Sequence, residues 1–73
     1  MRVILSRHAC RRLRELRQED IRPEDIVAAA RRLPGFIPCA TRFRGFVSRS
    51  GRPFDLVAKD IATGRLVITI IGQ

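Results

Sequence analysis

One histidine, two cysteines and fifteen basic residues are the side chains of this 73-residue chain with chemistry to offer. His8 is the group whose ordinary pKa lies near neutrality, so it could act as a general acid or base at physiological pH. His8, Arg12 and Glu15 follow one another at i, i+4 and i+7, on one side of a helix. The spacing admits two readings: a structural imidazole bonded to a backbone carbonyl, or a proton carrier with a cation one turn away. Cys10 and Cys39 do not make a disulfide framework. With one His they also fall short of a zinc ligand set. The sequence therefore implies neither metal nor cofactor, and two buried thiols in a reducing cytosol.

Fifteen basic residues against seven acidic ones give +8, and fourteen of the fifteen are Arg. The planar guanidinium fork suits phosphate better than the point charge of Lys. The balance favours a polyanionic partner: nucleic acid or an acidic protein, ahead of an anionic membrane. From Arg31 to Arg52 the basic residues are uninterrupted by any acid. Within that segment Arg42 and Arg44 lie two apart on an expected strand, so both point to one face, and Phe46 extends the row. A guanidinium can pair with phosphate while a ring stacks a base, which suits RNA; a solvated, charge-protected strand face is the plain alternative. A second concentration, Arg7, Arg11, Arg12, Arg14 and Arg17, falls on the first helix. Arg11, Arg42, Arg44, Phe46 and Lys59 are the candidate RNA or phosphate contacts.

The elements that must position these groups are short. Ser6 can cap a helix over residues 7–18, with Ala9, Leu13 and Leu16 as its apolar stripe. Pro23 suits the first position of a second helix, with Glu24 and Asp25 at its positive end and Arg31 and Arg32 at its negative end. Ile26, Ala30 and Leu33 form the stripe, and Pro34-Gly35 ends it. Beyond Pro38 the period falls to two. Thr41 to Ser48 sets Phe43, Gly45 and Val47 against Arg42, Arg44 and Phe46. Phe54 to Asp60 sets Phe54, Leu56 and Ala58 against Asp55, Val57 and Lys59. Leu66 to Ile71 is apolar on both faces apart from Thr69, as befits a central strand. Met1 to Leu5 could add an edge strand. The expectation is one α+β domain with two N-terminal helices on one face of a three-stranded, or four-stranded, antiparallel sheet. With four Phe, no Trp and no Tyr, the core must be mainly aliphatic, and a homodimer would supplement it. No apolar run reaches the ~18 residues of a membrane span. The opening residues are too short and too charged for a secretory signal, so a cytoplasmic protein is expected.

The run Ser6-Arg7-His8-Ala9-Cys10-Arg11-Arg12-Leu13 resembles the opening Ser-x-His-Ala-x-x-Arg-Met of the domain of unknown function family numbered 4258. Ile21-Arg22-Pro23-Glu24-Asp25-Ile26 looks like that family's entry to its second helix, and Leu66-Val67-Ile68-Thr69-Ile70 like its final strand. The family is similar to the RelE/ParE-like toxins. The resemblance implies a RelE-like fold and an RNA-directed, toxin-like protein, with an acidic antitoxin-like partner. It implies metal-independent cleavage in which the RNA 2′-OH is the nucleophile. His8 would be the general acid/base, Arg12 the phosphate ligand and Thr69 a positioning group. A non-catalytic basic module, binding nucleic acid or an acidic protein, accounts for the charge without using His8.

Overall fold

The computed structural model describes residues 1–73, the side chain of Arg17 excepted. The elements are β1 (Val3–Leu5), α1 (Arg7–Arg12), a 3₁₀ turn (Leu16–Gln18), α2 (Pro23–Arg32), β2 (Thr41–Val47), β3 (Pro53–Ile61) and β4 (Gly64–Gly72). The four strands form one sheet in the order β1-β4-β3-β2. Among the described residues, no helix is long and apolar enough to cross a membrane.

The α+β architecture follows the sequence expectation, but the sheet is mixed rather than antiparallel. β2, β3 and β4 form an antiparallel meander, and β1 adds to the far edge parallel to β4, pairing Val3 with Arg65 and Leu5 with Val67. A parallel partner cannot be joined by a hairpin; it needs a long crossover, here everything between residues 5 and 64. Gly64 admits this edge. It sits at φ +147°, and a Cβ there would lie 2.5 Å from the Arg2 carbonyl oxygen, which accepts from the Arg65 N–H at 2.8 Å.

α1 stops six residues short of the expected end at residue 18. The Glu15 N–H bonds to the Arg12 carbonyl in a tighter turn, and Glu15 itself is extended. The apolar stripe is broken there: Ala9 is buried, Leu13 half-buried, and Leu16 86% exposed. Gln18 is buried in its place. β4 is the cause. β1 pairs with it only as far as Val67, leaving the carbonyls of Ile68 and Ile70 and the N–H of Gly72 on an open edge. Ser6 Oγ donates to Ile68 O at 2.6 Å, Arg12 Nε to Ile70 O at 2.8 Å, and Gly72 N donates to Gln18 Oε1 at 2.7 Å. Three side chains thus continue the edge where the backbone of β1 leaves it, and a buried strand edge must be satisfied in some such way. A straight helix through residue 18 would point Gln18 elsewhere.

α2 forms as its signals predict. Pro23 opens it, and Ile26, Ala29, Ala30 and Leu33 are buried against Phe54, Leu56, Ala58, Val67 and Ile70 of the sheet. The Arg22 N–H donates to Asp25 Oδ2 at 2.9 Å, giving the helix a capping carboxylate. The other carboxylate oxygen accepts from Arg49 N at 3.0 Å, so Asp25 also ties the β2–β3 turn to the start of α2.

Candidate nucleic-acid interface

The helices lie over one face of the sheet and leave the other open. Across the open face Arg42 stands opposite Val57, and Val57 opposite Thr69. Directly opposed residues share a face, so Arg42 and Thr69 belong to one row. Lys59, opposite Leu66, lies on the same face and is half-buried. Arg42 is anchored there: its Nε and Nη2 donate to Asp55 Oδ2 at 3.1 and 2.8 Å. Arg44 and Arg11 are exposed.

Phe46 does not extend the row of Arg42 and Arg44. The register of β2 against β3 slips between Phe43 and Phe46, where Arg44 and Gly45 together oppose Asp55. Such an insertion switches the alternation of everything beyond it. Gly45 takes φ +86°, which a glycine adopts without the Cβ penalty, and its N–H donates to Asp55 Oδ1 at 3.2 Å. Phe46 therefore joins Phe43 on the core side and packs on Phe54, with ring centroids 5.6 Å apart. The expected pairing of Phe43 with Val47 on one face fails for the same reason. Of the four phenylalanines only Phe36, in the loop after α2, is fully presented, at 75% exposure. Its position between Gly35 and Ile37 carries no periodic signal, so the sequence reading passed over it.

His8 lies exposed on α1. Arg12, one turn along, spends its Nε on Ile70 O and is 24% exposed at its side chain, with Nη1 4.0 Å from Glu15. Ile70 follows Thr69 directly, so α1 is pinned to β4 beside that threonine. Cys10 and Cys39 are free and both exposed. The expectation of buried thiols is overturned: Cys10 falls on the solvent side of the shortened α1, and Cys39 in the loop before β2.

The acidic side chains are divided between two uses. Asp25, Asp55 and Asp60 hold the fold together. Glu15, Glu19, Asp20 and Glu24 are exposed, all within the connection from α1 into α2. Against them stand the exposed Arg2, Arg7, Arg11, Arg14, Arg22, Arg31, Arg32, Arg42, Arg44 and Arg49. The molecule therefore presents a basic surface with its exposed acids gathered in one segment.

Burial raises the pKa of Asp55, but the hydrogen bonds from Arg42 and Gly45 and the charges of Arg42 and Arg44 outweigh it and hold the carboxyl below its usual range. Hydrogen bonds from the Arg65 side chain, then from the Ile37 N–H, bring Asp60 down to about 2. Both groups are depressed on folding, so their contribution is fully present above the unfolded value of about 3.8. It is lost as the pH falls from there toward 2, because the unfolded chain takes up protons that the folded chain refuses. Urea midpoints should be level above about pH 5 and fall steadily below it, with a shallower fall in Asp60→Asn. A midpoint unchanged between pH 5 and pH 2.5 would contradict this.

No family model matches the chain, and no curated protein or solved structure matches it.

Proposed function

We propose that this chain is an RNA-directed protein that binds its target chiefly through phosphate contacts. The observation that carries the reading is the excess of exposed positive charge on the surface. Among the described residues ten arginines are exposed, while the exposed carboxylates are confined to residues 15–24. Exposed guanidinium groups on several elements suit a flexible polyanion, whose phosphates can follow them. The resemblance of the Ser6–Leu13 and Leu66–Ile70 runs to a RelE/ParE-like family supports RNA over DNA.

The test is the affinity for a labelled single-stranded RNA across a salt series. If about four phosphates are neutralised, log K against log[salt] should have a slope of about −3. Arg11→Ala and Arg44→Ala should each weaken binding and flatten the slope by about 0.7. Binding indifferent to salt would sink the reading.

A second reading, metal-independent cleavage, rests on one further observation. The Arg12–Ile70 bond holds the His8 helix against β4, the strand that carries Thr69. In this reading His8 takes the proton of the 2′-OH as that oxygen bonds to phosphorus, the bond from phosphorus to the 5′-oxygen breaks and the departing oxygen takes a proton from water, while the remaining donors of Arg12 meet the phosphate and Thr69 orients it. Labelled RNA incubated in EDTA should be cut by the native protein and about 10²–10⁴-fold more slowly by His8→Ala. An intact substrate after incubation with folded native protein would leave binding as the whole function.

A further inference from the structure

α2 packs on the core side chains of β3 and β4, and the core face of the edge strand β2 is left under-covered. Phe43 and Phe46 remain half-buried, and Val47 is 64% exposed. Between this strand and α2 lies a groove of about 640 Å³. Phe46 and Val47 line it from the sheet, Ala28 from the helix, and Arg32, Arg49, Glu24 and Asp25 are also in its wall, the Asp25 carboxylate occupied by the N–H groups of Arg22 and Arg49. The small side chain of Ala28 keeps the groove open, and the β2 bulge turns Phe46 into it. Part of the Phe46 ring is covered by Phe54, at an interplanar angle of 29°. Arg32 and Arg49 are exposed and make no ion pair among the described residues.

We propose that this groove is a nucleotide-binding site, taking one base and an adjoining phosphate of a single-stranded RNA. The proposal rests on the RNA-directed reading above and names a recognition element within it. The volume falls in the range of small-ligand sites, about 300–1,000 Å³. An aromatic ring gives a base its stacking partner. Arg32 and Arg49 supply the complementary charge for phosphate. Glu24 supplies an acceptor for an exocyclic amino group. Phe46 keeps the stacking role that its residue type suggested, but among different arginines: Arg32 and Arg49, in place of Arg42 and Arg44.

The test compares a fluorescent eight-nucleotide oligoadenylate with an abasic ribose-phosphate strand of equal length. The native protein should prefer the base-bearing strand about tenfold, the effect of stacking one base. Because Phe46 packs on Phe54, a change there could disturb folding, so the groove is altered through exposed residues instead. Ala28→Leu fills it, and Arg32→Ala with Arg49→Ala strips its charge. Ala28→Leu should abolish the base preference yet bind the abasic strand with the native salt slope. The double arginine variant should lose affinity for both strands, and more for oligoadenylate. Equal native affinity for the two strands, each salt-dependent, would overturn the groove and leave the RNA-directed reading standing. A preference that survives in Ala28→Leu would place base recognition elsewhere and also overturn it. Failure to bind either strand would remove both proposals.

Discussion

Arg65→Ala should remove a large share of the chain's folding stability. Arg65 is 2% exposed, and its five N–H donors are all used. Nε and Nη2 bind the two oxygens of Asp60 at 2.7 and 3.0 Å. Nη1 donates to the carbonyls of Ala30 and Leu33 at 2.9 and 2.8 Å, and Nη2 also to Gly35 O at 2.8 Å. The last carbonyls of a helix have no partner within it. Here a strand residue, thirty or more positions away, supplies the donors. Removing one partner of a buried ion pair costs about 3–5 kcal/mol. A domain of this size has roughly 4–11 kcal/mol in all. The loss should be visible as a urea midpoint far below that of the native chain. Arg65→Lys keeps the charge but offers three donors from a point where five are needed in a plane. It should fall between alanine and native. If Arg65→Ala unfolded within about 1 kcal/mol of the native chain, the clamp would be a minor contact.

Asp25→Ala should be the next most damaging change, at about 2–4 kcal/mol, because it strands two backbone donors at once. The N–H groups of Arg22 and Arg49 meet the two oxygens of one carboxylate, which is only 8% exposed. Asparagine is nearly isosteric but can accept through one oxygen only, and its amide nitrogen would face an N–H. Asp25→Asn should therefore recover less than half of the loss. Amide exchange reads the effect locally. In both variants the Arg49 N–H should exchange at least tenfold faster than nearby amides of β2, and protection of Arg49 at the native level would count against this role.

The helices and strands differ in how far they could be read from sequence. α2 was legible because its signals are local: Pro23 at the start, carboxylates in the first turn, apolar residues three and four apart. The buried alternation of Phe54, Leu56 and Ala58 was legible for the same reason. α1 was misread beyond Arg12, since Leu13 and Leu16 continue a helical stripe and only the unpaired edge of β4 explains why Gln18 displaces Leu16. The parallel edge of β1 depends on partners sixty residues distant, as does the clamp of Arg65 on α2. Arg65 looked like one arginine among fourteen. For the site, the exposure of Arg11 and Arg44 was within reach of spacing, whereas the shared row of Arg42 and Thr69 depends on the strand registers. The position of Phe46 was not, because a single extra residue at Gly45 inverts every face assignment after it. That glycine within a strand was the available signal for a bulge.

The pairing of β1 with β4 also dictates an order of events during synthesis. Val3 meets Arg65, and α2 receives the donors for its terminal carbonyls from that same arginine. A ribosome-bound chain that ends near residue 60 therefore holds a helix with an unsatisfied end and a first strand with nothing to pair against. Contacts of such long range close late, after the loop entropy of the intervening chain has been overcome. The domain must fold as a unit once β4 has left the exit tunnel. Until then its aliphatic strands are open to aggregation and proteolysis, with the charge of its arginines opposing self-association.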